Sequence, residues 1–123
     1  MTDQEVKKYL ESIGGLKSAY YPDRIITSRM FECGSGWNKL ICDLIQNLID
    51  IGWNKEIAQI KEKFGTLRFS PGVCTDEQWK LIQEAERKSS TICEYCGSKD
   101  AKLYTDGWYT TECKNCRKNG KNL

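Results

Sequence analysis

The chain has 123 residues, 39% of them hydrophobic and 29% charged, which suits one compact domain, or one domain with a small satellite, and excludes a chain disordered throughout. No apolar run approaches the ~20 residues that span a bilayer, and the polar start MTDQEVKKYL lacks a signal-peptide core, so a cytoplasmic protein is expected. The formal charge of +2 counts every cysteine as neutral and says nothing about partners, whereas the absence of histidine removes the commonest general base and metal ligand.

Residues 3–13 read as a first helix. Thr2 and Glu5 stand at capping-box spacing, Val6, Tyr9, Leu10 and Ile13 form one apolar stripe, and Gly14-Gly15 ends it. RIITSRMF is strand-like within a stretch that Pro22 and the glycines make mostly loop. The strongest helical pattern runs from Trp37 to Ile51, with Ser35 as its N-cap and Gly52 as its stop. Residues 57–70 fit either period over their first half, and Gly65-Thr66 followed by LRFS favours a hairpin. A third helix runs from Asp76 to Lys88, capped by Thr75 with Gln78 three residues on; Trp79, Ile82 and Ala85 mark its buried side.

From Cys93 the pattern changes to C-x2-C-x16-C-x2-C, with Cys93, Cys96, Cys113 and Cys116 as the ligand set of one structural Zn²⁺. Two thiolates separated by two residues grip an ion from a tight turn, and Gly97 lets the first turn bend back. KLYTDGWYTTE reads as two strands around a type I′ turn at Asp106-Gly107, which would bring the two cysteine pairs together. A segment this small cannot build a core, so the metal would supply much of its folding energy. Four thiolates on one Zn²⁺ carry −2 and would bring the holo-protein to about zero net charge.

FECGSGW, residues 31–37, is reminiscent of the stretch around a papain-type nucleophile, but without an imidazole Cys33 has no base to activate it. Proximity to the start of the next helix could still lower the pKa of Cys33. The plainer reading makes GSG a tight turn and Trp37 an anchor in the core. A functional reading makes Gly34, Ser35 and Gly36 an anion cradle at a helix start, with Glu32 and Trp37 beside it. Lys61, Lys63 and Arg68 would then add positive charge from one face of the hairpin. Cys42 and Cys74 read as small buried hydrophobes.

The succession FECGSGW, KEKFGTLRF, a helix, TICEYCG and GWYTTECKNC resembles a family of small phage, prophage and bacterial proteins. They share ECGxGW and KEKFGxLRF motifs and a C-terminal zinc-ribbon-like segment, and the resemblance covers roughly residues 30–116. It carries over no catalytic residue. It implies an accessory protein of the host cell cytoplasm, binding a host protein or sequestering a nucleotide signal.

The fold expected is α+β: about three helices on a small antiparallel sheet over residues 1–90, a zinc ribbon over 91–116, and a flexible tail over 117–123. The expected role is non-catalytic binding of a host macromolecule or a phosphorylated, nucleotide-like ligand, with Trp108 exposed beside the ribbon. One alternative is a nucleic-acid-binding ribbon using Lys99, Lys102, Lys114, Arg117, Lys118 and Lys121. The other is a histidine-free enzyme on a phosphorylated substrate, using Cys33, Glu32 and Lys61 or Arg68.

Overall fold

In the computed structural model, which describes residues 1–118, two of the three long helices begin on capping boxes that the sequence places. Helix α1 (Asp3–Ser12) opens with the Glu5 N–H donating to Thr2 Oγ1 at 3.1 Å and the Thr2 N–H donating to Glu5 Oε1 at 2.7 Å. Helix α3 (Asp76–Ser89) repeats the exchange between Thr75 and Gln78. Helix α2 (Asn38–Asp50) departs from expectation. Ser35 does not cap it; Ser35–Trp37 form a 3-10 turn and α2 follows Trp37 without a side-chain cap.

The α+β class is as expected, but the main sheet is mixed rather than antiparallel. Its strands are β1 (Leu16–Ser18), β2 (Ile25–Ile26), β3 (Glu56–Lys63) and β4 (Thr66–Pro71), in the order β2-β1-β3-β4. β1 lies parallel to β3, because the chain returns to the sheet through α2 rather than through a tight turn. Of the strand-like RIITSRMF only Ile25–Ile26 enters the sheet. Farther along, Glu32 makes a parallel bridge to Lys61, its N–H donating to the Ile60 carbonyl at 2.8 Å.

β3 and β4 form the expected hairpin, and Lys63 pairs with Thr66. The turn is therefore Phe64-Gly65, both left-handed (φ 52° and 84°), the signature of a type I′ turn. A register shift between Ile57 and Gln59 turns both Ile57 and Ile60 inward, where a strict alternation would bury only one. Leu67 and Phe69 complete this face, and α1, α2 and α3 cover it with Val6, Leu10, Ile41, Ile45, Leu48 and Ile82.

The buried stripe of α3 is Gln78, Ile82, Ala85 and Ser89. Trp79, expected inside, is 41% exposed, because the stripe starts one residue earlier, on the glutamine of the capping box. The inner end of this helix satisfies the β4 edge. Ser89 Oγ accepts the Leu67 N–H at 2.9 Å and Glu86 Oε2 accepts the Phe69 N–H at 3.0 Å, so no bare ladder is offered there.

A second hairpin, β5 (Ala101–Tyr104) and β6 (Thr110–Cys113), precedes a short helix α4 (Lys114–Lys118). Its loop is five residues long, 105–109, and not the two-residue Asp106-Gly107 turn expected. Tyr104 pairs with Thr110, and of the two central residues Gly107 alone is left-handed. The expected flexible tail also begins differently: residues 117 and 118 end α4, and 119–123 lie outside the described residues. Among the described residues no helix is long and apolar enough to cross a membrane.

Ser89→Ala is expected to destabilise the protein by about 1–3 kcal/mol, because it strands the buried Leu67 N–H. Chemical denaturation checks this: the midpoint should fall while the denaturant slope stays unchanged.

Candidate metal centre

Two elements carry the cysteines. Cys93 and Cys96 sit on a turn closed by the Gly97 N–H, which donates to the Cys93 carbonyl at 2.9 Å; Gly97 is left-handed, at φ 81°. Cys113 ends β6 and Cys116 lies in the first turn of α4. The Glu94 N–H donates to the Thr111 carbonyl at 3.1 Å, which ties the first turn to β6.

All four Sγ atoms lie within 4.8 Å of one another, and Cys96 Sγ stands 3.6 Å from Cys113 Sγ. A tetrahedron with metal–sulfur bonds of ~2.3 Å has sulfurs ~3.8 Å apart, so the set is already close to the size a metal ion requires. The quartet can hold a metal ion. Such an ion, once bound, would have its shell closed by sulfur and would crosslink the two turns rather than activate water.

The thiols differ in their readiness to ionise. The Cys116 N–H donates to Cys113 Sγ at 3.4 Å, and this bond holds the Cys113 thiol down at about 7. Desolvation pushes Cys96 and Cys116 up, and the neighbouring thiols add to the effect.

The FECGSGW residues meet this centre from the other side. The Gly34 N–H donates to Glu94 Oε2 at 2.9 Å, and the Gly36 N–H donates to the Glu94 carbonyl at 2.7 Å. The amides of the anion cradle read from the sequence are thus taken within the chain, Gly34 by the Glu94 carboxylate and Gly36 by the Glu94 backbone carbonyl. Burial pushes the Glu94 carboxyl up, and the Gly34 bond works against that rise. A Cβ on Gly34 would run into the Glu94 carbonyl oxygen, and one on Gly36 into the Cys93 carbonyl oxygen. Trp37, fully buried, donates Nε1–H to the Ile92 carbonyl at 2.7 Å. The glycines and the tryptophan of the motif are therefore a clasp on the metal turn, while Ser35 stays exposed.

Cys33 is half-buried beside Arg29. Burial pushes its thiol up to about 12 against the pull of Arg29, whose Nη2 donates to the Cys33 carbonyl at 2.8 Å. The expected lowering by the helix start does not occur. Glu32 is exposed, with Oε1 accepting from Gln59 Nε2 at 3.1 Å.

Lys61, Lys63 and Arg68 do share one face, because Lys61 pairs with Arg68 across the hairpin. Arg68 donates from Nη1 to Thr66 Oγ1 at 2.6 Å and to the Leu67 carbonyl at 3.0 Å. Of the basic residues near the ribbon, Arg117 is committed: it donates to Glu112 and to Asp106 and lies 3.8 Å over the Tyr104 ring. Lys121 lies outside the described residues.

Sequence reading missed the role of the hairpin turn. The Gly65 carbonyl accepts from Thr111 Oγ1 at 2.6 Å, and a Cβ on Gly65 would press on Leu103 and on the backbone at Tyr109 and Thr110. Glycine is needed here by close approach as well as by φ. Docked this way, the turn and the ribbon loop enclose an open cleft of about 630 Å³, lined by Glu62, Phe64, Gly107, Trp108 and Tyr109. Trp108, the predicted exposed residue, is 85% exposed. The signal available in the sequence was Phe64 itself, a large aromatic where a type I′ turn favours asparagine.

No protein-family model matches the chain, and no significant match appears among curated proteins or solved structures.

Two measurements test the centre. Elemental analysis should find one metal ion per chain, retained at neutral pH and released on acidification, as protons compete for the thiolates. Gly36→Ala should destabilise the holo-protein by about 1–3 kcal/mol through the clash with Cys93. Gly52→Ala meets no atom within 4 Å and should cost only the left-handed backbone term of about 1 kcal/mol. Paired thermal melts compare the two.

Proposed function

We propose that this is a zinc-dependent, non-catalytic binding protein whose recognition surface is the seam between the Phe64-Gly65 turn and the ribbon loop. An all-cysteine, closed ligand set suits zinc in a structural role, and a colourless holo-protein separates it from a tetrathiolate iron centre. Against an enzyme reading stand the missing histidine and the high pKa of Cys33.

One observation carries the choice of surface. Phe64, Trp108 and Tyr109 are 66%, 85% and 44% exposed, and all three line one cleft. Exposed aromatics gathered this way mark interaction sites, and aromatic anchors dominate the energetics of partner contacts. Phe64 also sits at φ 52°, a conformation that a bulky residue adopts only at a cost. Neither burial nor local propensity explains a phenylalanine there; recognition does.

Of the two ligand classes expected, a macromolecular partner is the better supported. The amides that would have held a phosphate are used by Glu94. The resemblance to phage and prophage chains makes the host the source of that partner. A second reading, a nucleic-acid-binding ribbon, draws on Lys63, whose Nζ reaches the Phe64 ring, with Lys61 and Arg68 farther along the same hairpin face; binding that weakens steeply with salt would favour it.

Phe64→Asn separates recognition from structure. It is expected to stabilise the turn by about 0.5–1 kcal/mol while weakening partner binding by about 2 kcal/mol. Thermal melts read the first, and quantitative affinity capture from host extract, wild type against variant, reads the second. Loss of stability with an unchanged set of captured proteins would show that Phe64 serves the fold, and the reading would fall.

A further inference from the structure

We propose that the seam cleft takes the guanidinium of an arginine on a partner protein, stacked among Phe64, Trp108 and Tyr109 and paired with the Glu62 carboxylate. This rests on the seam being the recognition surface and adds what occupies it.

The charge of the lining decides the class of ligand. Three aromatic rings and one carboxylate line the cleft, and the nearest basic group the structure places on them is Lys63, whose Nζ reaches the Phe64 ring from outside the lining. Aromatic faces attract cations, and a carboxylate in the wall repels phosphate. The Glu62 carboxylate is also held in place: Oε2 accepts the Gly65 N–H at 2.7 Å, which fixes the group against the turn. Its remaining lone pairs suit a donor with several N–H groups. Phe64 and Tyr109 meet edge to face, with ring centroids 6.2 Å apart, a contact that occupies one face of the pair, while Trp108 is 85% exposed.

The protein displays the same recognition chemistry inside itself. Lys63 Nζ lies 5.7 Å from the centre of the Phe64 ring, a cation contact that an incoming guanidinium must share or displace. Arg117 lies over Tyr104 while donating to the carboxylates of Glu112 and Asp106. Arg29 lies 5.1 Å over Phe31 and pairs with Asp3 at 3.2 Å. In each arginine case an aromatic face and a carboxylate share one guanidinium. The seam cleft repeats this pair of groups with the arginine missing.

Arginine fits better than lysine, because the guanidinium is planar, weakly hydrated and able to stack while it hydrogen-bonds. At about 630 Å³ the cleft is larger than one side chain needs, so flanking residues of the partner segment fill the rest.

The test uses the full-length, metal-loaded protein with ¹⁵N labelling and three five-residue probes, identical except for a central arginine, citrulline or lysine. The arginine peptide should shift the Trp108 indole N–H and the Gly65 amide saturably. Citrulline, the neutral isostere, should bind about tenfold more weakly, and lysine should fall between. Glu62→Gln keeps an acceptor for the Gly65 N–H and should abolish the preference for arginine over citrulline. Trp108→Ala, at an exposed site, should weaken all three probes. Equal binding of arginine and citrulline, or no saturable shift up to about 10 mM, overturns the proposal. So does a short oligonucleotide that shifts these resonances where the arginine peptide does not. If affinity capture depends on Phe64 but arginine and citrulline bind alike, the seam remains the recognition surface with a different occupant. If capture does not depend on Phe64, the recognition reading itself is lost.

Discussion

The arrangement depends on two backbones lying against each other without side chains between them. At residues 34–36 the chain presses on the carbonyl oxygens of Cys93 and Glu94, and only glycine leaves room. The Gly34 and Gly36 amides then reach Glu94, and Trp37 closes the contact on Ile92. Hydrogen bonds of this kind are worth little individually in water, but these lie beside a buried cysteine and a buried tryptophan, where an unmade bond would be expensive. The contact also fixes what a metal ion would do. A turn held only by its own residues would be a loop; held by four sulfurs on one side and by the glycine clasp on the other, it becomes a rigid part of the core.

The same device recurs at the second contact between the sheet and the ribbon. Gly65 approaches the backbone of Tyr109 and Thr110, and its carbonyl receives the Thr111 hydroxyl. β6 is buried along its whole length as a result, with Glu112 inside and bound by Arg117. Both ECGSGW and KEKFGTLRF thus place a glycine where the ribbon docks. Their shared spacing reads as a packing requirement between two pieces of chain distant in sequence.

What the sequence disclosed was local. The capping boxes at Thr2 and Thr75, the hairpin over 57–70 and the cysteine spacing each rest on residues within a few positions of one another, and each is found in place. What it did not disclose was contact between distant segments. The parallel pairing of β1 with β3 has no turn signature, because the connection runs through a helix. The GSG amides looked available because Glu94, which uses them, stands sixty residues away. Trp79 was placed inside by its hydrophobicity, whereas Gln78 took the inner position because its amide caps the helix and then reaches the Ile51 carbonyl. The Asp106-Gly107 pair suggested a tight turn, yet the loop opens to five residues. Arg117 ties Asp106 back over Tyr104, and Trp108 is left outward.

On the proposed reading, the position of the cleft would couple recognition to the metal. Phe64 belongs to the main sheet, whereas Trp108 and Tyr109 hang from a hairpin whose return strand ends on Cys113. Without an ion the hairpin has little core of its own, and the aromatic pair would lose its fixed relation to Phe64 and Glu62. A partner that binds only the assembled cleft must therefore tighten the hold on the metal, and the metal must tighten the hold on the partner by the same factor. The locally unfavourable backbone of Phe64 fits this scheme. It costs stability at the turn against which the ribbon docks, where asparagine or glycine would be the easier residue.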